Sequence, residues 1–288
     1  MTNAPHHDAG TLGPEDWAGE MGARWLANLK GFESTIATAG EKLLAHAAYR
    51  PGERVLDIGF GGGATSLAIA QAVAPDGEVV GIDISPDLAA ATTRRAAAAG
   101  ITNARFICAD AAAVSVPEAP FDRLCSRFGS MFFPEPVAAF TNLRGLLKSG
   151  GRIDLAVWGP PQQNPWMLEG MAIARRHVEM PTPVPRAPGP FAFEDREYME
   201  EILGAAGFKN VNIIAAKGEL PVGGAGSTPE QALTFVLNAQ AFGQALLNSS
   251  AQVQAHAAAE LEALFSKYYR PGEGVMMGYA IWLVSADA

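Results

Sequence analysis

Two carboxylates, Asp57 and Asp83, and the glycines that follow the first of them have the types and spacing to hold a ligand. The run Val55-Leu56-Asp57-Ile58 leads into Gly59-Phe60-Gly61-Gly62-Gly63, then into the helix-forming residues 64–70. A strand that enters a glycine turn and rebounds as a helix aims free backbone N–H groups at a ligand. Glycine is needed where the ligand meets main chain, because a Cβ would block the approach and restrict φ.

Two cofactor readings compete for this turn. Gly59, Gly61 and Ala64 fit the dinucleotide spacing G-x-G-x-x-[GA], and Asp83 follows at the distance of a ribose-binding acid. Asp57 argues the other way. A carboxylate two residues before the first glycine repels a pyrophosphate and attracts an ammonium group. S-adenosylmethionine carries such an ammonium and no phosphate, so it fits better than a nicotinamide dinucleotide.

At this point the chain resembles the class I S-adenosylmethionine-dependent methyltransferases, and most of all the small-molecule branch of ubiquinone and menaquinone biosynthesis methyltransferases. The pattern D-x-G-x-G-x-G of that family falls on Asp57, Gly59, Gly61 and Gly63, with Phe60 where a small or thiol residue is usual. Residues 78–85 read as a second strand ending in Asp83, whose ionised carboxylate offers acceptors for both ribose hydroxyls. Residues 104–111 read as a third strand, and the resemblance puts Asp110 and the N–H of Ala111 at the adenine edge. Residues 121–129 read as the fourth strand and its exit, and residues 146–153 as a helix end, glycine turn and fifth strand. The resemblance spans roughly residues 15 to 216. It implies further cofactor contacts from Ile84 and Ser126, with Trp25 on an N-terminal helix that closes over the cofactor.

The expected fold is therefore α/β: a Rossmann-like seven-stranded methyltransferase sheet, last strand antiparallel, with helical cap segments. Residues 1–50 are read as a disordered tail (to about residue 13) and an N-terminal helical lid. In that lid Trp17, Met21, Trp25 and Leu29 recur four apart. Residues 51–158 form the cofactor-binding core, with helices at about 63–74, 86–99 and 135–147. Residues 159–194 form a proline-rich cap with a helix at about 166–178, and residues 195–288 the rest of the sheet. An insertion at 218–272 carries helices at about 229–247 and 251–269. Alternating strands and helices demand a parallel sheet covered on both faces.

Methyl transfer is an in-line displacement, so alignment and exclusion of water do most of the work. Apolar side chains follow the fourth and fifth strands, and Arg127, Phe128, Met131, Trp158 and Trp166 are expected to line a substrate pocket. Ser126-Arg127-Phe128-Gly129 lacks the [ND]-P-P-[YF] element of amino methyltransferases and the clustered acids of metal-dependent catechol-type enzymes. No metal is expected. His46, His177 and His256 match no family motif, so the catalytic group is unassigned.

Composition narrows the class. The 288 residues are 49% hydrophobic and 18% charged, as in a globular protein with a large core. A net charge of −9 argues against a nucleic-acid partner, because phosphate binding needs a basic face. No apolar run of spanning length occurs, and the first residues lack a signal pattern, so a cytoplasmic enzyme is expected. Its partners are a small-molecule substrate and, at most, a second copy in a homodimer. The two cysteines, Cys108 and Cys125, read as core thiols. A non-methylating S-adenosylmethionine-binding enzyme or subunit is the alternative that the missing base leaves open.

Overall fold

The computed structural model describes residues 13–288, so the expectation for the first dozen residues lies outside the described part. The chain opens with four short helices, α1 (Pro14–Ala18), α2 (Glu20–Ala27), α3 (Leu29–Thr35) and α4 (Ala37–Ala47). It then alternates β1 (Arg54–Ile58), α5 (Ala64–Val73), β2 (Glu78–Asp83), α6 (Pro86–Ala98), β3 (Ala104–Cys108), β4 (Phe121–Arg127), α7 (Pro136–Gly145) and β5 (Leu147–Trp158). The cap helix α8 (Pro165–His177) follows, then α9 (Arg196–Ala205) and β6 (Lys209–Pro221). After α10 (Pro229–Ala239), α11 (Ala241–Leu247) and α12 (Ala251–Tyr268), the two-residue β7 (Tyr269–Arg270) turns into β8 (Gly274–Asp287).

The strand order is β3-β2-β1-β4-β5-β8-β6, with β7 paired to β8 off this path. Strands β1 to β5 are parallel and β8 runs antiparallel between β5 and β6, as expected for the last strand. Val55, Leu56, Val80, Ile82, Leu124 and Leu155 are almost wholly buried, as a sheet covered on both faces requires. Strand order reverses between β1 and its two neighbours. The crevice above the carboxyl ends of β1 and β4 is therefore where this architecture leaves room for a ligand.

Several boundaries differ from the sequence reading. The single N-terminal periodicity is cut into four helices: the chain breaks at Gly19, Asn28 and Ile36, none of which has helical backbone. Trp17 and Trp25 sit on different helices yet still meet edge to face, with ring centroids 6.0 Å apart. The helix expected over 229–247 turns at Gln240, whose backbone is extended (φ −93°, ψ 147°). The Gln244 side chain crosses that break and donates to the carbonyls of Leu237 and Asn238 at 3.0 and 3.1 Å. Strand β6 runs to Pro221, so the excursion begins later than residue 218. Cys125 is buried, but Cys108 is exposed because β3 is an edge strand of the sheet.

The lid segments are joined to one another. Thr35 Oγ1 accepts from the Gly223 N–H at 3.1 Å and Ser34 Oγ from the Ala225 N–H at 2.9 Å, while Phe32 packs edge-on against Phe235. The cap is pinned by buried Asn164, which donates to the carbonyls of Gly159, Pro160 and Ala280 and accepts from the Ala280 N–H. No helix among the described residues is long and apolar enough to cross a membrane.

Candidate cofactor site

The turn after β1 is built as its glycines require. Gly59 and Gly61 have φ of +67° and +55°, a region that favours glycine. A Cβ on Gly59 would lie 2.9 Å from Gly129 Cα, so this glycine also lets the exits of β1 and β4 touch. Gly63, with φ of +82°, has a further task. A Cβ there would lie 2.3 Å from Thr92 Cγ2, so this third glycine serves close packing of the turn on α6. Thr92 completes that contact by donating to the Gly61 carbonyl at 2.9 Å.

Asp57 lies buried near the carboxyl end of β1, opposite Gly81 on one side and Cys125 on the other. Only 1% of it is exposed, and Ser66 Oγ donates to its Oδ2 at 2.5 Å. Burial pushes its carboxyl up to about 6, against the Ser66 hydrogen bond and the Arg127 charge, which favour the ionised form. Asp83 ends β2. Its Oδ2 accepts from the Gly61 N–H at 2.8 Å and its Oδ1 from the Ser85 N–H at 3.0 Å. Burial raises the Asp83 carboxyl and these backbone donors pull it back. Each Asp83 oxygen keeps a lone pair, enough for two hydroxyls.

A small cavity of about 20 Å³ lies between the turn and the N-terminal helices, lined by Asp57, residues 59–62, Thr65, Arg127, Trp25 and Ile36. Trp25 stacks on Phe32 at 4.0 Å and presents its indole nitrogen 3.4 Å from where a Gly61 Cβ would stand. Its Nε1 and the Thr65 Oγ1 are buried without a hydrogen-bond partner. Unmet donors around a glycine turn with a carboxylate floor are what a polar ligand would satisfy. The lid is clasped over this spot: Arg95 Nη1 donates to the Gly62 carbonyl at 2.7 Å and to the Glu33 carboxylate at 2.6 and 2.7 Å.

The other expected residues divide. Asp110 and Ala111 stand just past β3 beside Asp83, whose carbonyl accepts from the Ala109 N–H, and Asp110 Oδ1 accepts from the Ala112 N–H. Ile84 follows Asp83 and its carbonyl accepts from the Cys108 thiol. None of these three lines the small cavity. Ser126 does not line it either: its fully buried hydroxyl donates to the Ile58 carbonyl at 2.9 Å and accepts from the Ser130 N–H at 3.1 Å. It is a strut between β4 and β1. Arg127, expected at the substrate, instead shares the cavity with Asp57.

Phe128, Met131, Trp158 and Trp166 form one buried group at the strand ends. Phe128 has φ +65°, uncommon for a bulky residue, and stacks on Trp158 at 4.0 Å and 7°. Trp158 meets Trp166 at 5.2 Å and Tyr279 at 6.4 Å, and the Trp158 N–H points to Met131 Sδ. Trp166 Nε1 is buried without a hydrogen-bond partner. Sequence reasoning missed Tyr279, Thr65, Ser66 and the Glu33–Arg95 clasp. Ser66 and Thr65 were open to inference, since they sit in the first turn of α5, facing back to the glycine turn.

The three histidines among the described residues lie elsewhere. His177 pairs with Glu260 across the α8–α12 contact at 2.9 Å, His256 is exposed on α12, and His46 lies near Arg152 at the opposite end of the sheet. Burial there lowers the His46 pKa. A larger cavity of about 440 Å³ opens at that opposite end. Its charges are largely spent on one another, in Arg123–Asp154 and Lys148–Asp122 pairs. Among the described residues no group of three His, Cys, Asp or Glu side chains is placed to hold a metal ion.

The strand order, the glycine turn at the switch point and the acids ending β1 and β2 define a class I S-adenosylmethionine-dependent methyltransferase fold. Residues 55–151 match the family described as a methyltransferase domain, and the chain carries that domain. It is 35% identical over 120 residues to nocamycin O-methyltransferase of Saccharothrix syringae, a match covering 41% of this chain and 43% of that protein. It is 34% identical over 116 residues to demethylmenaquinone methyltransferase of Thermus thermophilus, covering 40% and 52%. The chain spans about half the length of these curated relatives. In three dimensions it is similar to the [4+2]-cyclase SpnF at 17% identity and a TM-score of 0.58, over 97% of this chain and 98% of that one, a likeness of fold.

Proposed function

We propose that this protein binds S-adenosylmethionine and methylates a small, largely apolar or aromatic metabolite at oxygen, carbon or nitrogen. The observation that carries the reading is the glycine turn flanked by buried Asp57 and by Asp83, whose Oδ2 is held by the Gly61 N–H. When bound, the cofactor supplies a methyl group on a cationic sulfur whose charge disperses as the methyl leaves. Asp83 would take the ribose hydroxyls, and Asp110 and Ala111 would stand at the base. The residues 59–62 would give the main-chain approach, and Trp25 would close the site against water.

Phe128, Met131, Trp158 and Trp166 would line the acceptor's pocket, and apolar walls do not oppose loss of charge at sulfur. The relatives' names, an O-methyltransferase and a demethylmenaquinone methyltransferase, favour a small-molecule acceptor. The negative charge disfavours nucleic acid as a partner. A cytoplasmic location and a self-contained or homodimeric enzyme belong to the same proposal. The domain partition is likewise proposed: N-terminal lid, core, proline-rich cap and helical insertion.

Calorimetry with S-adenosylmethionine tests the cofactor, and release of S-adenosylhomocysteine in the presence of aromatic acceptors tests the reaction. Fold alone does not decide the reaction. Tight binding without turnover on any acceptor would favour a non-methylating role.

A further inference from the structure

Arg127 stands at the exit of β4 with its guanidinium among Asp57, Glu33 and the backbone of α4. Space has been made for it. A Cβ on Gly40 of α4 would lie 2.7 Å from Arg127 Nη1, so any other residue there would strike the guanidinium. Two neighbouring arginines find acceptors: buried Arg123 has Asp154, Glu53 and the Ala47 carbonyl, and Arg95 has Glu33 and the Gly62 carbonyl. Arg127 makes no hydrogen bond or ion pair among the described residues. A guanidinium has five N–H donors in a fixed fork, and leaving them unmet in a partly buried site is costly.

The same cavity holds two more unpartnered donors, Thr65 Oγ1, whose residue is 4% exposed, and Trp25 Nε1. Its one charged acceptor is Asp57. Three donors and a single carboxylate around one cavity are complementary to a group that carries both charges. We infer that Arg127 is a cofactor-specificity residue: its fork receives the α-carboxylate of the ligand while Asp57 receives the α-ammonium, so the pair selects an amino-acid zwitterion. Guanidinium and carboxylate match in a two-point, charge-assisted geometry. The inference rests on the proposed cofactor and moves Arg127 from the acceptor's pocket to the cofactor.

The experiment compares two ligands that share adenosine and thioether sulfur. S-adenosylhomocysteine carries the amino-acid end, and 5′-methylthioadenosine lacks it. Calorimetry on wild type, Arg127→Met and Arg127→Lys is run beside a melting curve of each. Expected is a loss of about 10- to 100-fold in S-adenosylhomocysteine affinity for Arg127→Met. Unchanged affinity for 5′-methylthioadenosine and partial recovery in Arg127→Lys should accompany it. Equal losses for both ligands would assign Arg127 a structural role and overturn the inference. Unchanged S-adenosylhomocysteine affinity with a raised KM for the acceptor would return Arg127 to the substrate and overturn it as well. If wild type binds neither ligand, the cofactor reading itself fails, an outcome distinct from both.

Discussion

Replacing Asp57 by Asn should stabilise the empty protein while crippling its cofactor affinity. Burial lifts the Asp57 carboxyl from 3.8 to about 6, net of the help it receives from Ser66 and Arg127. A raised folded-state pKa means that the folded form prefers the protonated carboxyl. Folding is therefore favoured by this group at acid pH, and that advantage is lost as pH rises from about 4 through about 6. At 1.36 kcal/mol per pH unit the full penalty at pH 7.5 is about 3 kcal/mol. Asn keeps the shape and an oxygen for the Ser66 hydroxyl but cannot ionise. The variant should melt about 5 °C above wild type at pH 7.5, a gain that vanishes near pH 4. S-adenosylhomocysteine affinity should fall about tenfold or more at pH 7.5, because the ammonium loses its charged partner. Wild-type affinity should itself fall by up to about tenfold per pH unit below pH 6, and the variant's should stay flat there. The decisive measurements are paired thermal melts and calorimetric titrations across pH 4.5–8. A variant that melts at or below wild type at pH 7.5, or whose cofactor affinity matches it, would refute the account of Asp57 as a strained, ligand-facing charge.

Other outcomes follow from the same geometry. Asp83→Ala should weaken S-adenosylmethionine binding by about 1.5–3 kcal/mol by calorimetry, as expected for hydrogen bonds to a charged group; an unchanged affinity in a folded protein would end the ribose assignment. Gly59→Ala should lower stability by at least about 1 kcal/mol in urea melts, because it combines φ of +67° with a Cβ 2.9 Å from Gly129 Cα. Thermal shift should rise with S-adenosylmethionine and S-adenosylhomocysteine and stay flat with nicotinamide dinucleotides, since a ligand that binds the native state must stabilise it. Amide exchange over residues 14–35 should be faster than over β1 to β5 in the free protein and slow on adding cofactor, and equal protection in both states would make the N-terminal helices static packing.

How far the sequence could be read depends on whether a feature is local. The turn at residues 57–63 is specified within nine residues by glycine's backbone freedom and one acid, and the parallel sheet by alternation of strands and helices. Phe60 looked like a departure from the pattern, yet its ring packs on Phe106 at 5.0 Å within a small buried cluster with Leu88. The spacing around it is intact because the ring needs only an apolar neighbour. The lid is another matter. Which residue closes over the turn depends on contacts between segments far apart in the chain, such as Glu33 with Arg95 across 62 residues and Thr35 with Gly223 across 188. No periodicity in either segment encodes these pairs.

Arg127 and Ser126 show the limit most sharply. They are adjacent at the end of one strand, and a strand sends successive side chains to opposite faces. One hydroxyl turns inward to tie β4 to the Ile58 carbonyl, and one guanidinium turns to the cavity under α4. Which of the two meets the ligand cannot be read from the residues themselves, because either could make polar contacts. It is decided by Gly40, nearly ninety positions upstream, which leaves the space that the guanidinium fills. Gly40→Ala should therefore displace the fork from the cavity without touching the glycine turn. Its predicted signature is that of the Arg127 variants, S-adenosylhomocysteine affinity lost and 5′-methylthioadenosine affinity kept, read by the same calorimetry. If Gly40→Ala binds both ligands as wild type does, the guanidinium has room to spare and its position is not set by α4.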